Sequence, residues 1–166
     1  MSDFPITHPY ELGRLGLAEV EITIAPTLDE LSRVAMWAGV DAVQTFRATV
    51  KLRKITPTQF TLDAAFEADI VQSCVVTLDP VRSHVEGSVA RDLFFTPTKS
   101  FETDITPVDD DGREEIASMR YDLAVPVLEE LALAIDPYPR APGVAFEPPA
   151  DEDKPEHPFA ALKKLK

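Results

Sequence analysis

The sequence is poor in the side chains on which most enzymes and metal sites depend. It contains one cysteine, Cys74, and its three histidines, His8, His84 and His157, lie in different segments. A lone cysteine cannot form an internal disulfide, and with scattered histidines it supplies too few ligands for structural zinc. No Gly-x-Ser-x-Gly elbow occurs, and no glycine-rich loop precedes a helix. We therefore expect a protein that is not an enzyme, without catalytic residues, bound metal or cofactor.

Long apolar runs and an excess of basic residues are also missing. No segment approaches the roughly 18 apolar residues that span a bilayer, and no basic stretch followed by an apolar run comes after Met1. We therefore expect a soluble cytoplasmic protein with no membrane contact. The 16 Lys and Arg against 29 Asp and Glu give a net charge of -13. This charge repels phosphate backbones and attracts basic proteins, so broad nucleic-acid binding is disfavoured.

Alternation of apolar and polar residues predicts a largely antiparallel sheet. A strand is expected over 19–24, and two long strands over 45–53 and 60–70, joined around 56–58. A further strand over 81–95 follows the turn at 78–80 and completes a meander of at least four strands. Between the first two strands, Thr27 and Glu30 form a capping box for a helix that ends at Gly39.

The two long strands allow their register to be predicted. If a three-residue loop joins them, Lys51 faces Asp63 and Arg47 faces Glu67. The core face then pairs two apolar sets in order: Phe46, Ala48, Val50 and Leu52 with Ala68, Phe66, Ala64 and Leu62. The basic face of the strand over 45–53 is thus expected to be neutralised by the strand over 60–70, which makes this face a poor groove for RNA.

The last third of the chain predicts one more helix and then a tail. An acidic loop over 96–113 precedes a helix over 123–135, whose start is confined to Pro126 or the turn before it. Seven of the 15 prolines fall between Pro137 and Pro158, so no packed element is expected there. The sequence therefore predicts an α+β domain over residues 1–140, an antiparallel sheet with two helices. Residues 141–166 form a proline-rich acidic linker and an extended tail with a docking motif.

Two segments outside the regular elements could carry function. Cys74 could act as a nucleophile with His84 as its base, although a small, half-buried apolar side chain beside a turn is the favoured interpretation. In the last ten residues an apolar stripe next to positive charge predicts a helix that orders on a partner. The residues of this docking motif are Pro158, Phe159, Leu162, Lys163, Lys164, Leu165 and Lys166.

Four stretches together carry a resemblance to a known family. They are the turn over 73–81, the helix over 121–134, the segment over 136–140, and the Lys-Pro-x-x-Pro-Phe motif with its following residues over 154–166. In this order and spacing they resemble the YceD family, bacterial and plastid proteins associated with accumulation of large-subunit ribosomal RNA. Members with a complete metal site carry a second cysteine where Thr77 stands, and further ligands where this chain has Arg140, Ala141 and Gly143. The resemblance thus implies the fold and the link to the large subunit, with Cys74 as the remnant of a degenerate zinc site.

The resemblance leaves the mechanism open between two hypotheses. In the first, a non-enzymatic ribosome-biogenesis factor supports accumulation of 23S rRNA as an acidic adaptor or escort for a basic ribosomal protein or a pre-ribosomal particle. In the alternative, the protein binds rRNA directly through Arg140 and the C-terminal lysines. Charge favours the adaptor. A Cys74-dependent hydrolase is a distant third.

Overall fold

The structure is a computed structural model, and the description covers residues 4–97 and 113–144. In chain order its elements are β1 (Pro9–Glu11), a 3₁₀ turn (Leu12–Arg14), β2 (Val20–Ile24), α1 (Leu28–Ala38), β3 (Ala42–Thr56), β4 (Gln59–Ser73), β5 (Pro80–Phe95), β6 (Arg113–Ile116), β7 (Arg120–Asp122) and α2 (Ala124–Ala134). This arrangement confirms the predicted α+β class. Neither described helix combines the length and the apolar character that crossing a bilayer requires.

The main sheet has five strands in the order β2-β3-β4-β5-β6. The first four are antiparallel neighbours and form the predicted meander, whereas β6 is parallel to the end of β5. A separate two-stranded sheet pairs β1 with β7 near the two ends of the described chain. The sequence analysis did not predict β1, β6 or β7. These strands have three or four residues, too few for alternation to become visible.

The predicted register of β3 and β4 is confirmed. Lys51 lies opposite Asp63 and Arg47 opposite Glu67, and the two apolar sets face one another in the expected order. The connection differs from the expected three-residue loop, because Thr56 pairs with Gln59 and leaves two residues in the turn. A register shift between Lys54 and Thr56 restores the predicted register from Lys54 back to Thr45, and a second shift follows between Thr45 and Val43.

Both helices pack on one face of the sheet, α1 against β3 and α2 against β5 and β4. Phe46 and Phe66 stack within this core with their ring centroids 6.0 Å apart. Gly87 of β5 lies opposite Phe66, where an added Cβ would come 2.6 Å from the ring. The glycine therefore lets the ring and α2 approach the strand closely.

The helix ends are as the sequence predicts. Thr27 and Glu30 form the capping box of α1, and Gly39 ends it with a left-handed φ of 69°. Pro126 lies in the first turn of α2, where backbone N–H groups have no partner within the helix. The missing N–H of proline therefore costs no hydrogen bond. The carboxylate of Asp122 fixes that end by accepting hydrogen bonds from the N–H groups of Ala124 and His8, at 3.0 and 2.7 Å.

Candidate functional site

The connection between β4 and β5 folds into a tight turn around Cys74. The backbone N–H of Cys74 donates to the carbonyl oxygen of Asp79 at 2.8 Å, and Leu78 N–H donates to the carbonyl of Cys74 at 2.9 Å. Leu78 has a φ of 64°, and it is the one non-glycine residue in the described ranges with a positive φ. The turn is therefore closed by two short backbone bonds and contains a residue in the left-handed conformation.

The sulfur of Cys74 points into this turn and is enclosed by hydrogen-bond donors. Its Sγ accepts from the N–H groups of Val76 and Thr77, each at 3.5 Å, and of Ala141 at 3.3 Å. The side chain has no solvent exposure. The expectation of a half-buried apolar side chain is therefore wrong, because the sulfur is fully buried and acts as a hydrogen-bond acceptor.

These donors change the acidity of the thiol. Hydrogen bonds from the Thr77 hydroxyl, then from the N–H groups of Ala141, Thr77 and Val76, lower the pKa of Cys74 to about 6. Burial acts in the opposite direction, but the donors that stabilise a negative sulfur outweigh it. Cys74 therefore favours the thiolate at neutral pH while remaining inaccessible to solvent.

The chain after α2 forms one wall of this enclosure. Val75 N–H donates to the carbonyl of Pro139 at 2.9 Å, and the Gln72 amide donates to the carbonyl of Asp136 at 2.9 Å. Pro139 is buried. No packed element was predicted from Pro137 onward, and residues 137–144 indeed form no helix or strand. The segment is nevertheless fixed to the sheet by these hydrogen bonds to β4 and to the Cys74 turn.

The predicted partner of Cys74 in catalysis is engaged elsewhere. The Nδ1 atom of His84 lies 2.8 Å from Oδ1 of Asp69, and both side chains are about half exposed on the open face of the sheet, opposite the helices. The hydrogen bond that the His84 ring donates to the Asp69 carboxylate raises the pKa of His84, and the carboxyl pKa of Asp69 is lowered by hydrogen bonds from Thr45 and then from His84. The groups that contact the sulfur are thus hydrogen-bond donors rather than a general base.

The donor set around Cys74 does not fit a zinc ion. Thr77 and Ala141 lie at positions where the resemblance placed further ligands, yet a methyl group and a neutral hydroxyl are not ligands for structural zinc. Their N–H groups instead donate hydrogen bonds to the sulfur. Within residues 4–97 and 113–144, no group of three or more His, Cys, Asp or Glu side chains could hold a metal ion.

Of the predicted partner-binding residues, the structure places one. Arg140 is exposed beside Ala141, at the edge of the Cys74 turn. The other seven lie outside the described residues: Pro158, Phe159, Leu162, Lys163, Lys164, Leu165 and Lys166. The sequence analysis missed the contribution of Pro139 and Ala141, since their backbone groups act at this site and residue type gives no signal for that role.

The open face of the sheet carries charges of both signs. Lys51 and Arg53 of β3 approach Glu21 and Glu19 in the segment of β2, at 4.0 and 3.7 Å. Lys51 was predicted to be neutralised by β4. It does lie opposite Asp63 of β4, but the ion pair that it makes among the described residues is with Glu21 of β2. The basic side chains of β3 are thus interspersed with carboxylates from both neighbouring strands.

Comparison with known proteins supports the family resemblance found in the sequence. The family model described as "Large ribosomal RNA subunit accumulation protein YceD" matches residues 62–166, a range that begins in β4 and includes the Cys74 turn and α2. Searches of curated proteins and of solved structures found no match. The match covers more than half of the chain, and the chain therefore belongs to the YceD family of large ribosomal RNA subunit accumulation proteins.

Proposed function

We propose that the protein supports accumulation of 23S rRNA as a non-enzymatic acidic adaptor or escort in the cytoplasm. Its direct partner is a basic ribosomal protein, free or within a pre-ribosomal particle. Membership of the family gives the link to large-subunit RNA. The charge of the chain, -13, supports a basic protein as the partner, because opposite charges accelerate and orient association.

The observation that carries this proposal is the pairing of charges on the open face of the sheet. A surface that follows an RNA backbone needs cations with no carboxylate beside them. Here Lys51 and Arg53 each lie within 4.0 Å of a glutamate, and Arg47 lies opposite Glu67 on β4. These basic residues are therefore poorly placed to attract phosphate groups.

The non-enzymatic part of the proposal rests on the enclosure of Cys74. A nucleophile must reach its substrate, but the sulfur is fully buried and accepts hydrogen bonds from N–H groups of the turn and of Ala141. Its lowered pKa is explained by these structural hydrogen bonds. Direct binding of rRNA through Arg140 and the C-terminal lysines is the competing account. Nuclease treatment of the isolated complex distinguishes the two.

The test isolates the tagged protein from cells at low ionic strength, with and without nuclease. The adaptor account predicts that basic large-subunit proteins remain bound after nuclease treatment and are released when salt is raised. Loss of these proteins on nuclease treatment would contradict it. In parallel, cells without the protein should show fewer large subunits on sedimentation gradients.

A matched pair of variants checks that charge decides the partner. Glu21→Lys and Glu67→Lys together make the open face basic, which should weaken binding to basic ribosomal proteins and strengthen binding to naked 23S rRNA. Lys51→Glu, which makes the same face more acidic, serves as the control and should do the opposite. If neither set changes the retained partners, the open face does not contribute to partner choice.

A further inference from the structure

The Cys74 turn exposes a cluster of apolar side chains, which we name the turn patch. Val75, Val76 and Leu78 are 48%, 37% and 77% exposed, and Tyr138 from the segment after α2 is 71% exposed. The N–H group of Val75 donates to the carbonyl of Pro139, which brings Tyr138 beside the turn. The turn patch therefore combines residues from two parts of the chain that are joined by hydrogen bonds.

Leu78 occupies its place in the turn patch at a conformational cost. Bulky residues rarely adopt a φ near 64°, where glycine fits without strain. Its side chain gains little packing in return, since 77% of it is exposed. Backbone bonds on either side of Leu78 and the buried sulfur of Cys74 hold the conformation. The exposed side chain offsets little of this strain, and strained residues cluster at sites that contact other molecules.

Carboxylates surround the turn patch. Asp79 follows Leu78 directly, Asp136 accepts a hydrogen bond from Tyr138 N–H at 2.9 Å, and Asp41 accepts one from the hydroxyl of Ser73 at 2.8 Å. All three aspartates are exposed, and Arg140 is the basic residue that follows Pro139 at the same edge. An apolar centre with a mainly acidic rim suits a partner that presents apolar side chains among Lys or Arg.

We propose that the turn patch is the docking surface for the basic ribosomal protein, and that it takes a segment in which apolar side chains are flanked by Lys or Arg. This inference rests on the proposed function and gives it a location. The aspartates disfavour RNA because they repel phosphates. They also disfavour a second copy of this chain, since a two-fold contact through the turn patch would bring like charges together.

The test uses the immobilised full-length protein and the proteins extracted from purified large ribosomal subunits, with bound species identified by mass spectrometry. Leu78→Gly removes the side chain and relieves the positive φ, so the melting temperature should be no lower than that of the wild type. Recovery of basic ribosomal proteins should nevertheless fall about tenfold or more, and Tyr138→Ala should act in the same direction. Leu28→Ala is the matched control, because Leu28 of α1 is 81% exposed and should be dispensable for binding.

The outcomes separate this inference from the proposed function. If the wild type captures basic ribosomal proteins and Leu78→Gly and Tyr138→Ala capture as much, the turn patch is not the docking surface although the adaptor account stands. If the wild type captures none of these proteins but retains 23S rRNA when the RNA is supplied in a parallel binding reaction, the proposed function itself fails. A wild-type dimer that Leu78→Gly converts to monomer would assign the turn patch to self-association and overturn the inference.

Discussion

The acidity of Cys74 is the most direct physical prediction of the structure. With a pKa of about 6, about nine tenths of the sulfur is thiolate at pH 7, whereas an unperturbed cysteine near pKa 8.5 is about 3% ionised. Thr77→Val preserves the shape of the side chain and removes the hydroxyl, the largest of the contributions that lower the pKa. The pKa should therefore rise and the thiolate fraction at pH 7 should fall. The remaining N–H donors should still keep the pKa below that of free cysteine.

The assay is a pH titration of thiolate ultraviolet absorbance, and Cys74 gives an unambiguous signal because it is the single cysteine of the chain. Cys74→Ala supplies the baseline from the tyrosines. Thr23→Val, a threonine on β2 away from the turn, is the control and should leave the titration unchanged. A wild-type midpoint near 8.5, or the same midpoint in Thr77→Val and the wild type, would refute the hydrogen-bonded thiolate.

The same shift makes stability depend on pH with a defined sign. The folded state holds the pKa of Cys74 below its unfolded value, so the thiolate stabilises the protein fully above the unfolded pKa of about 8.5. That contribution is lost as the pH falls through about 6. The stability difference between the wild type and Cys74→Ala should therefore widen from pH 6 to pH 8.5 in denaturant unfolding. A difference that is flat over this range would contradict the linkage.

Two further predictions concern the sheet. Gly87→Ala should destabilise the fold by about 1–3 kcal/mol in urea unfolding, because its Cβ would lie 2.6 Å from the Phe66 ring. Gly16→Ala, which meets nothing within 4 Å, should leave stability nearly unchanged, and equal effects of the two would argue against this packing. The hydrogen bond that His84 donates to the Asp69 carboxylate raises the pKa of His84, so its stabilising effect is present below the unfolded pKa of His84 and lost as the pH rises through the folded pKa. The thermal stability difference between wild type and His84→Gln should accordingly shrink from pH 5 to pH 8, and a difference that grows would reverse the assignment.

The sequence predicted the elements that are specified by local sequence patterns. β3 and β4 alternate over many residues with a polar turn between them, so the alternation together with an assumed loop length predicted their pairing and register. The capping box and Gly39 predicted both ends of α1, because each is a local signal within or next to the helix. The bulge next to Thr56 could not be predicted, because a two-residue turn followed by a bulge places the same residues opposite one another as a three-residue loop does.

The candidate site was harder to predict because its contacts are distant in sequence and use backbone groups. Ala141 donates to the sulfur of Cys74 from 67 residues away, and nothing in an alanine residue signals this role. The left-handed Leu78 was equally hidden, since that conformation normally indicates glycine or asparagine. The docking motif over 158–166 lies outside the described residues, and it stays a prediction together with the domain boundary at residue 140.

The central claim is that this acidic protein engages ribosomal protein rather than ribosomal RNA. Crosslinking in living cells, followed by purification and identification of the linked species, tests it most directly. We predict that a basic large-subunit protein is recovered and that 23S rRNA fragments are not linked to Arg140 or to the lysines over 163–166. Recovery of rRNA fragments on those residues without a ribosomal protein would contradict the adaptor account.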